Sequence, residues 1–139
     1  IPFVNTVSVV PENLYFYCYN DTSFTRSYRS DMQKLNNAFL EKALFLVGGM
    51  EHSEKTEVCI KVRYHMYTVA ALKQVCDSDL SKKDKKVAVW DILKDSVLEK
   101  TLEKKVLSMD KKSIRLMLTA VKLHCYWLAY LMLKYRMGR

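Results

Sequence analysis

The sequence predicts an all-α protein: a compact up-and-down bundle of about five helices preceded by an extended aromatic arm. Three observations predict it. The chain has 139 residues but only 3 Gly and 2 Pro, too few breakers for a many-turned β fold. Helix-start signals recur along it. Between them the apolar residues return at helical spacing. At this length one domain can bury a real core, and the half-hydrophobic composition excludes a disordered chain.

Residues 1–29 read as the arm. Ile1 to Val10 is apolar and β-branched, and Tyr15-Phe16-Tyr17-Cys18-Tyr19 is an aromatic knot. Pro11, Asn20, Asp21 and Ser23 interrupt any regular pattern. The arm is expected to lie on the helical body and cover core.

The first helix is expected over 31–47. Ser30-Asp31-Met32-Gln33 has the form of a capping box, in which the first and fourth side chains satisfy orphan N–H groups. Met32, Leu35, Phe39, Ala43 and Leu46 make its apolar stripe. Gly48-Gly49 would stop it, since glycine accepts left-handed geometry. The second helix spans 54–77. Val58, Val62, Met66 and Val69 form one apolar line, and Ile60, Tyr64, Tyr67, Ala71 and Val75 form another. So wide an arc predicts a helix packed on two neighbours.

Ser81, with Asp84 at the acidic third position, opens a helix over 82–94. Ser96-Val97-Leu98-Glu99 is a further capping box, placing a break near Asp95 and a fourth helix over 97–107. One long helix over 82–107 is the alternative. Asp110 would cap the last helix, 111–136, whose middle is apolar on nearly every side from Ile114 to Leu133. Such a helix is either swallowed by a core or faces lipid. Its longest uncharged stretch, Cys125 to Leu133, is far shorter than the roughly 20 residues a membrane span needs.

Charge is the next constraint. There are 23 Lys and Arg against 15 Asp and Glu, giving a net charge of +8. Residues 1–50 are balanced, so the excess lies after Gly49. Lys82, Lys83, Lys85 and Lys86 form one cluster, and Lys104, Lys105, Lys111, Lys112 and Arg115 a second. A cationic half-molecule implies an anionic partner. Trp127, Tyr130 and Leu131 sit in the apolar last helix, and indole and phenol rings settle at lipid headgroups. An anionic bilayer is therefore the expected partner, with a cell-surface glycoprotein as the alternative. No nucleic-acid recognition module is visible.

Catalytic chemistry is sparse. His52, His65 and His124 show no metal-ligand spacing with the acids or cysteines, and each reads as a structural side chain. Phosphate-binding glycine loops, nucleophile elbows and dinucleotide fingerprints are absent from the sequence. No enzyme activity, metal or cofactor is expected. The oligomeric state is expected to be a monomer or weak dimer.

Cys18, Cys59, Cys76 and Cys125 allow three full pairings. Cys59 and Cys76 share a helix and stand about 25 Å apart along it, beyond disulfide reach. Two schemes remain, Cys18 with Cys59 and Cys76 with Cys125, or Cys18 with Cys76 and Cys59 with Cys125. Four free thiols are the other reading. The chain begins Ile1-Pro2 without Met, as after removal of a secretory signal, and Asn20-Asp21-Thr22 would be a glycosylation sequon in a secreted protein.

Several segments resemble one family. Leu35-Asn36-Asn37-Ala38-Phe39 is similar to an L-N-K-A-F segment of the abalone sperm protein lysin. Glu57-Val58-Cys59-Ile60-Lys61-Val62 resembles its E-V-A-L-K-V. Leu80-Ser81 followed by Lys85-Lys86 matches its L-S-x-x-x-K-K, and the tail Tyr135-Arg136-Met137-Gly138-Arg139 is similar to a Y-M-G-K ending. The chain thus resembles the abalone sperm acrosomal proteins, lysin and its fusagenic sister. Its cysteines and more apolar character resemble the sister more closely. The resemblance implies a five-helix bundle stored in the acrosomal vesicle and secreted at fertilisation, without enzymatic activity. It implies either fusion of sperm and egg membranes or, as in lysin, non-enzymatic opening of the egg vitelline envelope. A helical-bundle ligand for a cell-surface receptor is the reading that needs no kinship.

Overall fold

A computed structural model describes residues 28–49 and 53–137. The expected arm, with Cys18 and the Asn20 sequon, and also His52, lies outside the described residues. Seven helices follow in order: α1 (Met32–Val47), α2 (Ser53–Asp77), α3 (Lys82–Leu93), α4 (Ser96–Thr101), α5 (Lys104–Met109), α6 (Lys112–Lys122) and α7 (Tyr126–Met137). No strand occurs among the described residues. The protein is an all-α bundle.

The long α2 is its centre, packing against α1, α3, α5 and α6. That is more than the two neighbours expected, and it explains the width of the apolar arc. Tyr64, Leu72 and Val75 of α2 meet Val89, Leu93, Leu98, Leu118 and Ala129 in one core. Each such leucine contributes about 1.5–3 kcal/mol by leaving water.

α1 lies on α2 by a different face from the one expected. Its inward residues are Gln33, Asn36, Leu40 and Val47. Leu35, Phe39 and Leu46 stand exposed. The capping box is not formed, because Gln33 turns inward: its Nε2–H donates to the Tyr64 hydroxyl (2.9 Å) and to Asn37 Oδ1 (3.2 Å). Asp31 is the N-cap residue but makes no cap hydrogen bond. Its carboxylate accepts from Arg29 instead, which holds it below the usual carboxylate range. At the far end Gly48 is right-handed, so the helix stops without the left-handed turn expected there.

The later starts follow their local signals better. Ser81 Oγ accepts the Asp84 N–H at the head of α3. At α4 the cap is Asp95 and not the expected Ser96, which is the first helical residue: Asp95 Oδ1 accepts the N–H groups of Val97 (2.7 Å) and Leu98 (3.2 Å), so the Ser96–Glu99 capping box is not the one used. The break near Asp95 is therefore present, and α4 and α5 divide the segment read as one helix at Leu102-Glu103.

The expected last helix is also divided. α6 ends at Lys122, and the chain reverses through Leu123, His124 and Cys125. His124 adopts φ 55°, the only left-handed non-glycine residue among those described. The Cys125 N–H bonds back to Ala120 O (2.9 Å) and the His124 N–H to Val121 O (2.8 Å). This pair of bonds is the Schellman ending, with histidine where glycine is usual. It folds α7 back along α6. Asp110 does not cap the last helix either; its carboxylate turns into the core.

Candidate membrane-contact surface

The fold sorts the apolar residues of α7 onto two sides. Ala129 and Leu133 point inward and are buried. Tyr130 is half-buried and packs on the core, so it does not join the outward face. Trp127, Leu131 and Tyr135 follow one another at intervals of four, Leu128 lies beside Trp127 and three before Leu131, and all four share that face with Lys134. Trp127 is 62% exposed and Leu131 42%. Short helices usually turn such side chains inward, and here the core positions are already filled by Ala129 and Leu133.

The same end of α7 carries an aromatic brace. Trp90 of α3 and Tyr126 have ring centroids 6.0 Å apart. The Lys94 ammonium lies 5.0 Å from the Trp90 ring centre and 5.8 Å from that of Tyr126. An ammonium over a ring face is attracted by the ring's negative centre. Lys94 belongs to neither of the lysine clusters, and only the α3–α7 packing reveals its place.

The predicted cations divide by availability. Lys82, Lys83 and Lys86 are exposed at the start of α3. Lys85 is half-buried, and its ammonium donates to Cys76 O (2.8 Å), closing the end of α2. Lys104, Lys111, Lys112 and Arg115 are exposed. Lys105 is ion-paired with Glu54, whose carboxyl the hydrogen bond holds low. Lys85 and Lys105 are thus engaged within the molecule. Because α7 folds back, Lys111 shares one cleft with Met132 and Leu133. The head of α6, with Lys112 and Arg115, therefore meets the second half of α7.

Two further apolar sets are exposed. Leu116 of α6 and Leu123 just after it lie outward, on the side that also carries Lys112 and Thr119. On α1, Leu35, Phe39 and Leu46 form a ridge, and Phe39 meets Tyr67 edge-on at 5.3 Å. Beside them Phe45 is 86% exposed. The spacing of the ridge is that of a core stripe, but the burial of Asn36, and of Gln33 against distant Tyr64, turns it outward.

One constellation has the chemistry of a nucleophile, base and acid. His65 Nδ1 lies 2.7 Å from Asp110 Oδ2, and its Nε2 lies 2.9 Å from Thr101 Oγ1. All three side chains are buried, and the Thr101 hydroxyl already donates to Leu98 O (2.6 Å). In this arrangement Thr101 is closed to any substrate, and the cluster ties α2, α4 and the α5–α6 turn together. His65 is thus a satisfied structural histidine.

Cys59, Cys76 and Cys125 carry free thiols. The Cys76–Cys125 and Cys59–Cys125 bridges are therefore not made, which overturns both pairing schemes. Among the described residues no group of three His, Cys, Asp or Glu could hold a metal ion, and no helix is long and apolar enough to cross a membrane. Comparison of the chain with protein-family models, curated proteins and solved structures gives no match.

Proposed function

We propose that this chain docks on anionic membrane surfaces and perturbs them without catalysis, so mediating fusion of sperm and egg plasma membranes. The observation that carries the reading is the outward face of α7, where Trp127, Leu128, Leu131 and Tyr135 stand beside Lys134. An indole with leucines one turn apart can enter the headgroup region while its helix lies flat. Lys111, Lys112, Arg115, Lys82, Lys83 and Lys86 supply long-range attraction, about 1 kcal/mol each close to an anionic surface. Two separated clusters suit a protein that touches two bilayers. The fertilisation setting rests on the resemblance to the acrosomal family alone.

The test uses the full chain with vesicles of phosphatidylcholine, with and without phosphatidylserine. Co-sedimentation, dye leakage and lipid mixing should all require the anionic lipid. Trp127→Ser with Leu131→Ser should suppress leakage and mixing while circular dichroism stays unchanged. Neither leakage nor mixing from the native chain would refute the reading.

The ridge of α1 supports a second reading. Leu35, Phe39, Phe45 and Leu46 form an exposed apolar strip on α1, and a strip of that kind suits a protein partner such as an egg-coat glycoprotein or a cell-surface receptor. Such binding should survive salt near 0.5 M, where screening falls to roughly 4 Å and charge-led lipid docking weakens. Phe45→Ser should then reduce partner binding and leave vesicle binding intact.

A further inference from the structure

α2, α6 and α7 line a cleft of about 590 Å³ whose apolar interior the docking reading leaves unused, although Lys111 at its rim belongs to the docking cations. Its size falls within the roughly 300–1,000 Å³ of small-molecule sites. Its wall is thioether and hydrocarbon: Met66, Met117 and Met132 with Val69, Ile114 and Leu133. Methionines fit themselves to flexible apolar guests better than branched residues do. Met66 is left 38% exposed, although it faces an apolar wall that would otherwise invite closure.

The rim is charged. Lys73 of α2 and Lys111 before α6 line it, with Asp77 one turn beyond Lys73. None of the three is ion-paired with a described residue. The rim thus carries one net positive charge over an apolar interior. Ser113 adds a hydroxyl beside Lys111.

We propose that this cleft binds one long-chain fatty acid, its hydrocarbon tail along the methionines and its carboxylate at Lys73 and Lys111. A single anionic head complements the single net charge, and a flexible unbranched chain suits the three flexible methionines in the apolar wall. A peptide helix would bring backbone and bulk that a cleft of this volume does not admit. The site lies on the inner side of α7, away from Trp127 and Leu131.

The test is titration of the full chain with palmitate below its micelle concentration. Binding should saturate at one per chain. The methyl resonances of Met66, Met117 and Met132 should shift, and that of Met109, which does not line the cleft, should stay in place. Ala70→Phe fills the cleft from an exposed position and should weaken binding at least tenfold. Lys73→Glu with Lys111→Glu should weaken palmitate by roughly tenfold or more and leave its methyl ester unchanged. Trp127→Ser with Leu131→Ser should abolish vesicle leakage and leave palmitate binding intact. That separates failure of this proposal from failure of the docking reading. Non-saturating uptake, unshifted cleft methionines, or equal binding by Ala70→Phe would overturn it.

Discussion

His65 Nδ1 stands 2.7 Å from Asp110 Oδ2, and both side chains are sealed from solvent. Forty-five residues separate them in sequence. The Thr101 hydroxyl donates to Leu98 O and so offers His65 Nε2 a lone pair. His65 Nε2–H can therefore donate to Thr101 Oγ1, and the hydrogen bond between Nδ1 and Asp110 completes a buried chain of three side chains. Asp110 also stands directly ahead of α6, where the helix dipole favours negative charge. Its second oxygen, Oδ1, finds no hydrogen-bond partner among the described atoms.

Removing one member of such a buried hydrogen-bonded pair leaves the other's polar atom without its partner, which costs about 1–3 kcal/mol. Asp110→Ala should lower unfolding free energy by that amount in urea titrations. Adding His65→Leu should not add a second loss of the same size, because the polar atom that lost its partner is then gone. Strictly additive losses in the double-mutant cycle would show that the two side chains are not coupled.

Tyr64 anchors a second buried network. Its hydroxyl donates to Asn37 Oδ1 (2.7 Å), while Asn37 Nδ2 donates to Asp95 Oδ2 (2.9 Å). Burial, reinforced by the charge of Asp95, raises the phenol well above its ordinary value. The folded state therefore holds this proton more tightly than the unfolded chain does. Its stabilising effect is complete below about pH 10, where the unfolded phenol begins to ionise, and is lost as pH rises further. Stability should fall by up to about 1.4 kcal/mol per pH unit above that point. Tyr64→Phe should be less stable at neutral pH yet show a shallower alkaline slope. Equal slopes from parallel urea titrations would rule out Tyr64 as the cause.

The three described thiols should differ in reactivity. Cys59 and Cys125 are exposed, whereas Cys76 is partly covered. Burial and the neighbouring Asp77 push the Cys76 thiol up, against the opposing charge of Lys85. The thiolate is the reacting species. In native protein a disulfide reagent should modify Cys59 and Cys125 quickly and Cys76 slowly. Single serine substitutions assign the phases. A fast phase that disappears in Cys76→Ser would contradict the burial.

How much of this was legible depended on where the partner of each residue lies in the chain. Ser81 and Asp95 meet the N–H groups they satisfy within three residues, so both helix starts show locally in the sequence, the second one residue off because Asp95 takes the cap expected of Ser96. Gln33 and Asp110 look like caps by the same rule, yet each turns inward to a partner many residues away, Tyr64 or His65. Those inward turns rotated α1 and moved Leu35, Phe39 and Leu46 out of the expected core. The last helix offered no periodicity to read, because nearly every position is apolar. Its surplus of apolar residues was visible in the sequence. Which of them face outward was not, since that depends on a reversal marked by neither Gly nor Pro.

That reversal rests on His124. A left-handed backbone costs a residue with a Cβ about 1–2 kcal/mol, and His124 adopts it at φ 55°. Its side chain recovers little: Nδ1 lies 2.9 Å from the Tyr126 hydroxyl, and Nε2 lies 3.8 Å from Glu99, both at the surface. Exposed pairs of that kind contribute little. His124→Gly should remove the strain and, after the extra entropy of the unfolded chain, raise stability by about 0.5 kcal/mol. His124→Val, β-branched and poorly suited to this region, should lower it by about 1–2 kcal/mol. The valine variant should also loosen α7 from α6, seen as faster amide exchange at Ala129 and Leu133. If valine proved as stable as glycine, the turn would not be held by the Cys125–Ala120 and His124–Val121 bonds, and the orientation of Trp127 would need another cause.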